Sequence, residues 1–433
     1  NDRKPALHTN FQLRGEGEEI GLFDPDGVQM DAVEYESQAS DVSFGRRLDG
    51  DSDWSFFATP TPGAANSTEG LEDSSLNPPP DYSLPGGFYT GIRTVQLSAA
   101  PGAVIHYSLD GSIPTAASSI YTAPLDVTST SVIRARVFSD ELLPSETITH
   151  TYFIDEESTL PVVSVATNPA NLWDDTIGIY VDGTNGIISD DSGLPKNSNQ
   201  DWERPVSVEF FEPGGSLGFQ LDAGGSIYGA FSRHFPQKSL GINARGKYGT
   251  DEINYQIFPD ARLDRFKSFI LRNAGNDWTT TMLDDEFMQT LVKGQMDIDT
   301  QAYRPAVVFL NGEYWGIHNI REKLNRHYLA SHHGVDPDLV SILEADSAVK
   351  TGSAEDYDDL VDFMEANDMT LAETYAYVGT QLDINEFMNH QIVQVYLGAG
   401  DNFFKNVKYW HPGTDDGRWR WFLYDTDHGF SNS

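Results

Sequence analysis

The sequence predicts a multidomain chain in which two all-β sandwich modules precede a larger α+β domain. Three observations carry this expectation. Up to about residue 155, apolar and polar residues alternate over short runs punctuated by Asp, Gly and Pro, which is the pattern of half-buried strands. A Ser-, Asn- and Pro-rich run at 67–86, including Pro78-Pro79-Pro80, interrupts that region as a semi-rigid linker would. Apolar residues at helical spacing enter only in the third part, about 158–433, which also holds most of the Trp residues.

Composition bounds the function. At 433 residues the chain exceeds one ordinary core. Its 66 acidic and 28 basic residues leave a formal charge of -38, which repels nucleic acid and anionic membranes, so no nucleic-acid partner is expected. Salt-rich surroundings would screen the self-repulsion. With no cysteine, disulfides, thiolate catalysis and zinc-thiolate sites are all excluded. No apolar stretch approaches the roughly 20 residues of a membrane span. No signal peptide is visible, and the abrupt start is expected to follow a segment removed or left out.

Residues 1–66 read as short strands between the turns Asp24-Pro25-Asp26-Gly27 and Asp49-Gly50-Asp51. Leu7 to Phe11, Gly21 to Gly27 and Phe57 to Gly63 resemble the second half of a lamin-tail domain, an immunoglobulin-like sandwich of secreted bacterial proteins. The resemblance implies that the first strands of that module are missing. The clustered aspartates offer hard oxygen ligands to Ca²⁺, with solvated turn aspartates as the commoner alternative. The next module, 87–155, alternates in Val104-Ile105-His106-Tyr107-Ser108 and again in Val132 to Val137, as a small sandwich requires. Tyr107 to Thr115 (YSLDGSIPT) resembles the signature of the chitobiase C-terminal type of module, in which Asp110-Gly111 makes a tight turn. Contact with carbohydrate through the sandwich modules is one expectation that follows.

In the third part, Leu360, Phe363 and Met364 space a helix over 355–367, and Phe387, Met388, Ile392 and Val395 space another over 383–397. Asp383 with Glu386 forms a capping-box-like start to the second, and Gly398 a stop. Ala306 to Leu310 and Tyr314 to Ile320 flank Asn311-Gly312, a hairpin signal.

The chemistry concentrates near the end. Asp401 follows Gly398-Ala399-Gly400 on a loop, and Asn406 lies five residues on. Val407 to Trp410 and Arg418 to Tyr424 read as a strand pair around a turn, returning Asp425 and Asp427 beside Asp401. Protein kinases arrange Asp, Asn and Asp-x-Gly in this order around Mg-ATP. In that chemistry one aspartate accepts the hydroxyl proton, while Asn406 with Asp425 or Asp427 supplies hard oxygens to Mg²⁺. Singly, each motif also occurs as a solvated turn or by chance; the ordered set is much rarer.

Upstream, Gly224 to Arg233 could form a glycine-bearing turn whose amides face phosphate. Lys238 follows at the head of a strand, Ser239 to Asn243, where it could pair with phosphates. The glycines miss the Gly-x-Gly-x-x-Gly spacing, so a bulge and a surface lysine are the default reading. Glu286, on the helical stretch Met282 to Val292, and Glu322 are alternative partners for that lysine. Arg272, Asn273 and Asp277 form a polar cluster that braces the core or meets a ligand. A zinc site at His327, His332 and His333 has only loose spacing behind it, since His333 would point away from the other two.

Six segments together resemble the spore coat protein CotH kinase family over about 158–433: Asn171 to Val181, Asp201 to Pro213, Gly229 to Arg245 (GAFSRHFPQKSLGINAR), Phe269 to Asp277 (FILRNAGND), Val308 to Lys323 (VFLNGEYWGIHNIREK) and Tyr424 to Phe430 (YDTDHGF). The resemblance implies an atypical protein-kinase-like fold that uses ATP and Mg²⁺ to phosphorylate Ser or Thr of partner proteins. Asp401 would then be catalytic, Asn406 and one of Asp425 or Asp427 the metal ligands, and Lys238 with Arg233 the phosphate-side cations. The family's domain continues with further helices, so its C-terminal lobe is expected to be incomplete here. Tyr228 and Phe231 stand where smaller or polar residues are expected, which would narrow the nucleotide site. The competing class is an extracellular structural or adhesion protein with a non-catalytic kinase-like scaffold. Either class places the chain outside the cell or on its surface, with protein substrates or surface and matrix proteins as partners.

Overall fold

In the computed structural model, the described residues are 13, 17–36, 38, 42–66, 70–72, 74–189, 193–399 and 405–430. The chain divides into two compact units, Asn1–Glu156 and Glu157–Ser433.

The first unit is built of β-sandwich-like sheets. Gly17–Phe23 pairs antiparallel with Gln29–Glu36. The Asp-Pro-Asp-Gly turn between them is closed by Asp24, whose Oδ1 accepts the backbone N–H of Asp26 and of Val28. Asp31 on the second strand pairs with Arg46 at 2.6 Å. Further on, Ser119–Ile120, Val104–Ser108, Ser131–Phe138, Ile148–Ile154 and Gly87–Tyr89 form a five-stranded sheet in that order, the last pairing parallel. Its inner face buries Ile105, Ile133, Ala135 and Tyr152 together with Val95, Leu97 and Val127 from the facing short strands. Asp110 closes its turn by accepting from the N–H and the hydroxyl of Ser112.

The second unit opens with a closed barrel of seven strands. These are β1 (Val162–Ala166), β2 (Glu203–Phe211), β3 (Leu217–Tyr228), β4 (Ser239–Asn243), β5 (Ser268–Arg272), β6 (Tyr303–Leu310) and β7 (Glu313–Glu322). Around the barrel they run β1-β2-β3-β4-β5-β7-β6, and β6 closes onto β1 by the one parallel pairing. Closure leaves no free strand edge. The interior is a packed core of Val163, Phe210, Ile242, Phe269, Leu271 and Val308 among others, not a pore. The hairpin of β6 and β7 turns at Asn311 and Gly312, both at positive φ (51° and 84°), the backbone that favours Asn-Gly.

Helix α1 (Asp284–Val292) lies between β5 and β6 in the chain, and α2 (Arg326–His333) follows β7. Beyond them come β8 (Ser341–Glu344), β9 (Ala348–Thr351), α3 (Glu355–Ala366), α4 (Ala372–Gln381), α5 (Ile384–Leu397), β10 (Lys408–His411) and β11 (Arg420–Phe422). The four strands form an antiparallel sheet in the order β9-β8-β10-β11. Asp383 caps α5 by accepting the N–H of Glu386, and Gly398 ends it at φ +64°.

Three sequence expectations differ from what is found. The glycine-bearing stretch at 224–228 is strand, and the turn comes at Gly229 (φ +99°), before a 3-10 turn over Phe231–His234. A Cβ at Gly224 would meet the Glu203 carboxyl group on the neighbouring strand, which would have to shift. Helix α5 turns Met388, Ile392 and Val395 outward and buries Glu386, His390 and Gln394. The reciprocal half of the capping box is therefore absent: Glu386 faces Arg420 instead.

Candidate functional site

The site forms where β5 leaves the barrel. Arg272 is its last residue, followed by Ala274 and Gly275, both in the left-handed region (φ +72° and +61°). That sharp bend is secured by Asp277, whose carboxylate accepts the backbone N–H groups of Thr281, Leu283 and Asp284 at 2.7–3.1 Å. Burial opposes ionisation of Asp277, yet these bonds and the Thr280 and Thr281 hydroxyls hold its pKa down at about 2. The bend aims the first turn of α1 inward, so Asp285 and Glu286 are buried.

Asp285 is the centre of a buried charge network. Its Oδ2 lies 3.1 Å from Arg321 Nη1 and 3.9 Å from Arg272 Nε. Its Oδ1 accepts the N–H (2.8 Å) and hydroxyl (2.9 Å) of Thr426 and the Gln289 side-chain amide (3.0 Å). Burial would raise its pKa, but Arg321 and Arg272 outweigh it and keep the carboxylate ionised. Glu286 shares Arg321 at 3.1 Å and is pushed up by burial, with Asp285 adding to the shift.

Thr426 thus pins the loop that follows β11. Asp425, at φ +54°, and Asp427 flank it, and both reach Arg272: Nη2 is 2.5 Å from Asp425 Oδ1 and 3.0 Å from Asp427 Oδ2. Asn276 donates its backbone N–H to the same Asp427 oxygen at 2.8 Å. The other oxygen, Oδ1, is buried and has no hydrogen-bond partner among the described residues. Burial first, and the Asp425 charge second, push Asp427 up to about 6. Asn406 donates to the Asp425 carbonyl at 3.4 Å.

Two tyrosines border this loop. Tyr228, at the end of β3, is pushed up to about 12 by burial and lies within the field of Arg272 and Asp425. Tyr424 donates to Glu344 Oε1 at 2.6 Å. Each has a lysine over its ring: Lys323 Nζ is 5.8 Å from the Tyr228 centroid and Lys408 Nζ is 4.4 Å from that of Tyr424. Glu344 also pairs with Lys350 at 2.6 Å and with Lys408 at 3.7 Å.

The structure brings Asn406, Asp425 and Asp427 together. Asp401 lies outside the described residues. Lys238 heads β4, but its ammonium donates to the carbonyls of Arg233 (2.5 Å) and Phe235 (3.0 Å), and burial lowers its pKa to about 8. The Arg233 guanidinium donates to the carbonyls of Gly229, Ser198 and Ile227. Glu286 serves Arg321, and Glu322 accepts from His332 and from the Ala302 N–H. No carboxylate partners Lys238 at ion-pair distance among the described residues. The adjacent His332 and His333 reach different carboxylates, Glu322 and Asp299. Sequence reasoning left Arg272 as a brace or ligand contact and passed over Arg321, Asp285, Lys323 and Lys408. Arg272 and Lys323 do stand inside the family-like segments FILRNAGND and VFLNGEYWGIHNIREK, which was the one available signal.

The donor set suits a hard divalent cation. Among the described residues no group of three or more Asp, Glu or His converges tightly enough to hold a metal ion by itself. A magnesium site of the nucleotide type needs only one or two carboxylates, the remainder coming from phosphates and water. The buried, unpartnered Oδ1 of Asp427 is the atom such an ion would satisfy.

Residues 226–433 match the family described as CotH kinase protein, and residues 84–149 match the chitobiase/beta-hexosaminidase C-terminal domain. The CotH kinase and chitobiase-type resemblances drawn from sequence motifs are thereby borne out over these residues, while the lamin-tail resemblance is not shown by these matches. No curated protein matches the chain. No helix among the described residues is long and apolar enough to cross a membrane.

Proposed function

We propose that the second unit is a Mg²⁺-dependent protein kinase of the CotH type, transferring the γ-phosphoryl group of ATP to Ser or Thr of an exported or surface protein. The observation that carries this reading is the carboxylate pair Asp425 and Asp427, fixed by Arg272 beside Asn406, with one buried Asp427 oxygen left unpartnered. Asn406 with Asp425 or Asp427 would hold Mg²⁺, which when bound neutralises charge on the transferring phosphates. Arg272 holds the two carboxylates in place from one side. Asp401 accepts the proton of the attacking hydroxyl, a role that rests on its place in the ordered motif. The chitobiase-like module supports carbohydrate contact as a means of placing the enzyme at a surface.

Incubation with Mg-ATP is expected to release ADP and label Ser or Thr, read by mass spectrometry. Asp401→Ala should cut that rate by roughly 10²–10⁴-fold, the usual worth of a positioned acid–base group, with the unfolding transition unchanged. Undiminished transfer by a folded Asp401→Ala chain refutes the proposal. A second reading, a non-catalytic scaffold in a structural or adhesion protein, is favoured by one fact: Arg272 already neutralises both carboxylates. It predicts that calorimetric titration with Mg-ATP yields no binding.

A further inference from the structure

Within the kinase reading, on which this inference rests, we propose that Lys323, assisted by Lys408, is the cation that receives the phosphate chain of the nucleotide. Lys323 follows directly on β7, and its ammonium makes one hydrogen bond, to Asn243 Oδ1 at 3.3 Å, besides its contact with the Tyr228 ring. Among the described residues no carboxylate lies at ion-pair distance from it. The other cations nearby are committed. Lys238 and Arg233 serve backbone carbonyls, Arg272 and Arg321 serve buried carboxylates, and Arg245 and Lys247 share Glu203.

Burial is the main influence lowering the Lys323 pKa; Arg245 and Lys408 lower it further, and the more distant carboxylates of Asp201 and Glu203 offset part of this. A desolvated ammonium with no carboxylate at ion-pair distance among the described residues can take an anion as its close partner. Lys408 is buried and paired loosely with Glu344 at 3.7 Å. The two ammonium groups therefore flank Tyr228 and Tyr424 beside the carboxylate loop. On a chain of charge -38, an ammonium left without a close carboxylate suits a phosphate oxygen as its partner. Lysine acts on phosphate as a compact point charge, needing no bidentate geometry. The carboxylate loop on one side and the lysines on the other leave the phosphates between a metal-holding edge and a cationic edge.

The test is calorimetric titration of the full chain, in Mg²⁺, with a non-hydrolysable ATP analogue and separately with inorganic tripolyphosphate. Lys323→Met keeps the apolar stem and is expected to weaken both at least about tenfold, the scale of one lost charge-assisted bond. Lys323→Arg should restore most of the affinity, which a purely packing role of the stem would not explain. Unaltered binding of both probes by a folded Lys323→Met chain overturns the inference while leaving the kinase reading intact. Failure of the unsubstituted chain to bind either probe overturns the kinase reading itself.

Discussion

Gly275 decides whether Asp427 can approach Arg272 at all. Its φ of +61° is left-handed, and a Cβ there would overlap both the Asp427 carboxylate and the Arg272 guanidinium. Gly275→Ala is expected to destabilise the second unit by about 1–3 kcal/mol, the range for a strained backbone or an overpacked contact. Urea unfolding checks this, and stability within about 0.5 kcal/mol of the parent would show that the loop can yield. At this scale Asp425 and Asp427 were legible because Asp-x-Asp stands next to a recognisable strand. Arg272 was legible only as a polar residue of undecided purpose, since its partners lie about 150 positions along the chain. Lys238 misled for the converse reason. Strand position was read correctly, but the direction of its ammonium follows from the carbonyls that the 3-10 turn at Phe231–His234 presents to it.

Helix α5 shows what periodicity cannot deliver. Its length, cap and stop were all readable, because capping is local chemistry between residues three apart. Its orientation was not. Leu397 and Val393 pack against Met288 and Val292 of α1, while Val395 is 70% exposed, and the buried side carries Glu386, His390 and Gln394. Leu397→Ala should therefore cost about 2–5 kcal/mol, as core truncations do, and Val395→Ser should stay within about 0.5 kcal/mol. Chemical denaturation of the two variants separates these outcomes, and equal losses would restore the orientation that hydrophobic spacing implies. Helix α1 likewise buries Asp285, Glu286 and Gln289 beside Met288 and Val292, and exposes Phe287 and Leu291. Helix α1 spends its polar face on the charge network beneath the site and α5 turns Glu386 to Arg420, uses no pattern of apolar residues encodes.

Across the second unit, two imidazoles are buried neutral. His318 on β7 accepts the Gln237 amide at one ring nitrogen and meets the Lys238 carbonyl with the other, so it carries its proton on Nε2. His390 lies in α5 between Gln391 and Gln394. Burial lowers both to about 4, below the ordinary 6.5. The unfolded chain therefore binds protons first as pH falls, so this stability is full above about 6.5 and drains away toward about 4. The loss amounts to about 3 kcal/mol per histidine at most. Urea unfolding at pH 7.5, 5.5 and 4.5 should show it, and His390→Gln should flatten the slope; an unchanged slope rejects a neutral buried His390. The sequence by itself determined the modular order, the turn chemistry, the hairpins and the order of site motifs, because each depends on residues a few positions apart. Only the tertiary structure decided that β6 closes a barrel onto β1, that Arg272 gathers the carboxylates, and that no carboxylate among the described residues reaches ion-pair distance of Lys323. Those outcomes depend on strand pairing and desolvation between residues far apart in the chain, where side-chain charge is balanced only after folding has brought the partners together.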